Sequence, residues 1–111
     1  MDSQRQEKIS RLIQKELSEL IQHKSIEFLR TLISVTVVRV SPDLSVAKVY
    51  LSIFPVAKKD EVFALIKENS KILRHELSQK TKNQLRKVPE LIFYIDDSLD
   101  YADKIDNLLK E

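Results

Sequence analysis

The sequence predicts a single α+β domain spanning residues 1–111, with the element order α-β-β-α-(kink)-α-β-α. Three observations carry that prediction. Val35 to Ser52 reads VTVVRVSPDLSVAKVYLS, two alternating apolar runs around a Pro-Asp turn, which is the pattern of a β-hairpin. Arg86 to Ser98 reads RKVPELIFYIDDS, a short apolar strand that opens at a proline and ends in two aspartates. Between them runs a long basic helical stretch without a single glycine.

Each element has a local cause. Ser3 and Gln6 form a capping box, followed by Ile9, Leu12, Ile13, Leu17, Leu20 and Ile21 on one stripe, so the first helix is expected over roughly 4–23. Residues 24–31 connect. Leu32 to Val40 is rich in β-branched residues, which suit a pleated surface. Ser41-Pro42-Asp43-Leu44 is a turn with proline at its second position. Ala47, Val49, Leu51 and Ile53 then alternate with Lys48, Tyr50 and Ser52, a strand with one buried face that Pro55 ends. Residues 59–87 read as helical with a register fault, because an unbroken helix would turn Lys80 inward and Leu85 outward. A kink near Ser78–Lys80 repairs the fault, since a serine can bend a helix by bonding back one turn. Val88-Pro89 stops this helix. Leu91, Phe93 and Ile95 form the next strand, and Ser98 caps a last helix with Leu99, Ala102, Ile105, Leu108 and Leu109 inward.

Composition excludes several classes of function. With no glycine, no phosphate-cradling loop, dinucleotide fingerprint or nucleophile elbow can be written. With no cysteine there are no disulfides and no thiolate metal sites, a composition compatible with a reducing cytoplasm. No run approaches the roughly 18 apolar residues of a membrane helix, and the polar start MDSQRQEK is unlike a secretory leader. His23 and His75 stand alone, without the spacing of a metal or catalytic pair. Asp96, Asp97, Asp100, Asp103 and Asp106 lack the glycine and ligand spacing of a calcium loop, and Asp97, Asp100 and Asp103 suit the N-terminus of the last helix. No catalytic residue, metal or cofactor is expected.

The net charge of +2 conceals an asymmetry. Residues 58–87 carry nine Lys/Arg against four Asp/Glu, whereas residues 88–111 carry two against seven. Lys67, Lys71, Arg74, Lys80 and Lys82, continuing into Arg86 and Lys87, are the candidates for phosphate contact, because clustered cations on RNA displace counterions. Arg39 and Lys48 on neighbouring strands extend the patch across the sheet, and Arg5 and Lys8 on the first helix are outlying candidates. The ordinary alternative for each is a solvated charge. Tyr50, Phe54 and Tyr94 could stack on bases, but aromatics on a small sheet more often pack, and packing is the expectation here.

The element order is that of a type II KH-like domain with an added C-terminal helix, and the quoted stretches narrow it further. Val35–Val40, the turn Ser41-Pro42-Asp43-Leu44 leading into Ala47-Lys48-Val49-Tyr50-Leu51-Ser52, and Leu85-Arg86-Lys87-Val88-Pro89-Glu90-Leu91-Ile92-Phe93 with Asp96-Asp97-Ser98 together resemble the ribosome-binding factor A family over essentially the whole length. The resemblance implies a non-enzymatic protein of the cytoplasm that binds free immature small ribosomal subunits. It implies help in late maturation of 16S rRNA, including 5′-end processing, with most importance in the cold. It implies as partners the small subunit, its rRNA and ribosomal proteins, no membrane, and a monomeric state. Family members replace the GXXG loop of KH domains by a kink usually marked by a small residue, commonly alanine. Ser78 is the residue that takes this place here. The competing reading is a KH-like protein-interaction module whose basic face is only solvated; steep salt dependence separates the two. An enzyme is the third reading, and its sign would be turnover of isolated RNA.

Overall fold

The computed structural model describes residues 4–96. The expected cap Ser3 and the expected last helix, with Ser98 and the acids Asp97, Asp100, Asp103 and Asp106, lie outside the described residues. The described elements are α1 (Gln4–His23), β1 (Leu32–Val40), β2 (Val46–Phe54), a 3-10 turn (Val56–Lys58), α2 (Lys59–Glu68), α3 (Ser70–Thr81) and β3 (Glu90–Ile95). This is the expected KH-like order.

The sheet runs β1-β2-β3, with β1 antiparallel and β3 parallel to the central β2. The helices cover one face. Ala47, Val49 and Leu51 of β2 are fully buried beneath Ile13 and Leu17 of α1, Val62 and Ile66 of α2, and Leu73 and Leu77 of α3. The other face, which no described helix covers, carries Val37, Arg39, Lys48, Tyr50 and Tyr94.

α1 is fastened along β1 by two glutamines. Gln6 Nε2 donates to the Val40 carbonyl at 3.0 Å. Gln14 Nε2 donates to the carbonyls of Val35 and Thr36 at 3.0 and 3.2 Å, where β1 slips register between Val35 and Val37. A bulge leaves backbone groups without a ladder partner, and the side chain from the helix supplies one.

The hairpin turn forms as its sequence requires. Leu44 N–H donates to the Ser41 carbonyl at 2.9 Å, and Asp43 Oδ1 accepts from Ser41 Oγ (2.7 Å), Ser45 Oγ (2.7 Å) and Ser45 N (3.1 Å). Leu44 itself has φ 63°, a left-handed position where glycine or asparagine costs least.

The helical stretch departs from expectation in two places. The break falls at Asn69, with φ −95° and ψ 10°, and α3 runs unbroken through Ser78. Asn69 Nδ2 donates to the Leu65 carbonyl at 2.8 Å, the competition with main-chain bonding that makes asparagine a helix-ending residue. Ser78 Oγ donates to the His75 carbonyl at 2.6 Å without breaking the helix. The second departure is the end of α3, at Thr81 rather than residue 87. Leu85 N–H turns back onto the Thr81 carbonyl at 2.7 Å, and the Leu85 side chain returns to the core margin. The apparent register fault is therefore an early helix end. Lys80 needs no kink, because its Nζ reaches Glu19 (3.2 Å) and Glu16 (3.4 Å) on α1, which raise its pKa.

Two consequences are testable. The serine bonds hold the Asp43 carboxyl down to about 2 from an ordinary 3.8. A depressed carboxylate contributes stability that is complete above the unfolded value and lost as pH falls through the folded one. A carbon-13 titration of Asp43 should therefore show a midpoint near pH 2, and a midpoint near 4 would mean that the turn bonds are not made. Leu77, fully buried between α3 and the sheet, should cost about 2–5 kcal/mol on truncation to alanine, read by urea denaturation.

Candidate nucleic-acid interface

On α3, residues 71, 74, 75, 78 and 82 recur at helical spacing, so Lys71, Arg74, His75, Ser78 and Lys82 share one face that continues just past the helix end. The connection 82–89 lies beside that face and presents Arg86 and Lys87 to solvent. Arg74 holds it there. Its Nη2 and Nε donate to the Val88 carbonyl at 2.8 and 3.3 Å, satisfying a main-chain oxygen that no strand reaches.

This connection forms a wall between two depressions. One, about 630 Å³, is lined by Lys71, Arg74, His75, Ser78, Lys82, Arg86 and Lys87 among others. The other, about 710 Å³, lies between the start of α1 (Arg5, Lys8, Ile9, Leu12), the hairpin turn (Asp43 to Ser45) and the far side of the connection. Arg74, Leu85, Arg86, Lys87 and Val88 line both. Seven cations border the pair against two acids, Asp43 and Glu90. Concave walls lined by one sign of charge concentrate the field, so the arrangement suits a polyanion.

The remaining candidates lie elsewhere. Lys67 sits over the Phe63 ring at 4.8 Å from its centroid, a cation–π contact on α2. Lys80 faces α1 in its carboxylate pair. Arg39 and Lys48 are direct cross-strand neighbours on the open sheet face. Like charges so placed are unfavourable alone and become favourable with an anion between them. The aromatics are also on that open face: Tyr50 and Tyr94 stack on each other at 5.3 Å, and Phe54 is 65 % exposed, so packing into the core is not their role. Arg5 and Lys8, outlying by sequence, join Arg86 and Lys87 in one groove. A distance of some eighty positions hid that meeting, and only the pairing of the hairpin with β3 could have indicated it. Among the described residues, no His, Cys, Asp or Glu cluster could hold a metal ion, and no helix is long and apolar enough to cross a membrane.

A three-stranded sheet with helices on one face, in this order and without a glycine loop, defines a KH-like module, and its basic concave face adjoins the α3–β3 connection. Comparison with known proteins narrows the class. The family model described as ribosome-binding factor A matches residues 5–109, and the chain belongs to that family. Ribosome-binding factor A of Flavobacterium psychrophilum is 50 % identical, and that of Christiangramia forsetii 49 %, each over 98 % of this chain and 85 % of the relative. The crystal structure of ribosome-binding factor A from Thermus thermophilus shares the fold, with a TM-score of 0.69 at 24 % identity over 81 % of this chain and 94 % of that one. A Thermus thermophilus ribosome binding factor A model fitted into a cryo-electron-microscopy map of a 30S complex has a TM-score of 0.59 at 27 % identity, over 78 % of this chain and 89 % of that one.

Among the described residues, Arg74 has a partner that Lys71, Lys82, Arg86 and Lys87 do not have. Arg74→Ala should destabilise the fold by about 1–3 kcal/mol, because it leaves the Val88 carbonyl unpaired. Hydrogen exchange in residues 82–89 should rise in the variant, and unchanged exchange would show that the clamp does not order the connection.

Proposed function

We propose that this protein binds free, immature small ribosomal subunits in the cytoplasm, as a monomer, and assists late maturation of 16S rRNA, including processing at its 5′ end. It does so by binding and without catalysis. Family membership supports the reading, as does the Thermus relative described in a 30S complex. The observation that carries it on this chain is the convergence of Arg5, Lys8, Lys71, Lys82, Arg86 and Lys87 on the two sides of one connection. These cations grip the RNA backbone by releasing its counterions. Arg39 and Lys48 supply a second, smaller anion contact on the open sheet face. Lys67 is engaged with the Phe63 ring on α2, and Lys80 serves the α1–α3 contact. The gain over mature subunits comes from fit to an RNA conformation that maturation removes, because a binder shifts a conformational equilibrium only by its differential affinity. Cold raises the need for such a factor by slowing RNA rearrangement.

Sedimentation of tagged protein in lysate tests the reading. At low salt it should migrate with free small subunits and be absent from translating ribosomes. Protein that stays at the top of the gradient at every salt would defeat the proposal. Six phosphate contacts would weaken binding on the order of 10³-fold between about 50 and 200 mM salt. Charge reversal of Arg86 and Lys87 to glutamate should lower the slope of log affinity against log salt by about 2 or more. An unchanged slope in a folded variant would instead favour a protein-binding module.

A further inference from the structure

The two depressions differ in their floors. The one on the α3 side has two aliphatic residues in its lining, Leu85 and Val88, among polar and basic ones. The one on the α1 side shares Arg74, Arg86 and Lys87, adds Arg5, Lys8 and the acids Asp43 and Glu90, and has an aliphatic floor of Ile9, Leu12, Leu44, Leu85, Val88 and Pro89. We propose that this second depression is a pocket for one unpaired nucleotide of RNA, with the base against the aliphatic floor and the flanking phosphates on Arg5, Lys8, Arg86 and Lys87. The inference rests on the RNA-binding reading above and adds a ligand class to one part of the interface.

Three observations carry it. A duplex backbone offers phosphates and sugars to a surface, and these give an aliphatic floor nothing to cover it. An extruded base has an apolar face of the right kind, and single-stranded RNA is recognised through such splayed bases. The volume of about 710 Å³ is within the range of clefts that enclose small ligands. Leu44 provides the second observation. It stands in the left-handed region at φ 63°, where asparagine or glycine would be easier, and it projects a branched side chain into the groove wall. Strain of this sort persists where the surroundings hold it, and it concentrates at binding sites. The third is continuity: Arg86 and Lys87 border both depressions, so a single RNA strand crossing the connection would place its phosphates on them as its next nucleotide enters the pocket. A peptide of acidic residues alone would satisfy the rim but bring no flat apolar face for the floor.

The test compares a labelled RNA hairpin with the same hairpin carrying one bulged 2-aminopurine. The wild-type chain should bind the bulged RNA about tenfold more tightly, the scale of one base face buried against apolar side chains, and binding should change the 2-aminopurine fluorescence. Leu44→Asn keeps a residue suited to the left-handed turn and removes the aliphatic wall; Leu12→Gln alters the opposite wall. Each variant, shown to be folded by circular dichroism, should lose the preference for the bulge and keep its affinity for the paired hairpin. Equal affinity of the wild type for the two RNAs would overturn the pocket and leave RNA binding standing. Retention of the bulge preference in both variants would do the same. Failure to bind either RNA at low salt would overturn the RNA reading and the pocket with it. Oligo-glutamate that displaces the bulged RNA at lower concentration than unlabelled bulged RNA does would overturn the pocket in favour of a protein ligand.

Discussion

The parallel pairing of β3 with β2 is the constraint on which the rest depends. An antiparallel neighbour could follow a tight turn, but a parallel one must be reached by a crossover that carries the chain back to the end where β2 began. Here α2 and α3 form that crossover, and Glu90 N–H donates to the Ser45 carbonyl at 2.9 Å to fix the return. The connection before β3 must then lie beside the hairpin turn that precedes β2. α1 runs so that Gln6 meets Val40 at the end of β1, which brings its first turns to the same place. Three segments remote in sequence meet at one end of the sheet, through the direction of β3 and the seating of α1 on β1, and their cations meet with them.

Among those cations the environments divide the work. Lys24 is held by Glu76 at 2.8 Å and, more loosely, by Glu27, with its pKa raised chiefly by Glu76; it joins the α1–β1 connection to α3. Lys80 and Arg74 have partners as well, a carboxylate pair and a carbonyl. Exposed ion pairs of this kind add little to stability. These contacts tie α1 and the α1–β1 connection to α3, and the α3–β3 connection to α3. Net charge alone gives no hint of the division, since the same side chains appear on either side of it.

Much of this was legible in the sequence where periodicity decides structure. The stripe from Ile9 to Ile21 is α1, the alternation around Ser41-Pro42-Asp43-Leu44 is the hairpin, and Pro89 with the apolar run after it is β3. The crossover was less legible because Val62, Ile66, Leu73 and Leu77 keep one face across the break at Asn69, so the hydrophobic pattern does not record it. What the pattern did record has two sources: the misplaced Leu85 marks the close of α3 at Thr81, and Lys80 marks the ion pairs with Glu16 and Glu19. Helices are commonly ended by a glycine, and in its absence the stop is a fully buried threonine whose Oγ1 bonds to Leu77 O at 2.8 Å, a weaker signal to read. The interface was half legible: the α3 face and Arg86-Lys87 follow from local spacing, whereas Arg5 and Lys8 depend on the strand pairing.

The missing glycine also shapes the state from which the protein folds. Average usage of about 7 % would place several glycines in a chain this long. Each would add backbone freedom to the unfolded ensemble, freedom that folding must then remove. Without them the disordered chain is stiffer and the entropy lost on ordering is smaller. Among the described residues the opposing cost falls on Leu29, Arg30 and Leu44, which accept left-handed backbone that glycine would adopt freely. Part of this domain's stability thus resides in the unfolded chain, in conformations it does not visit, where no native contact displays it.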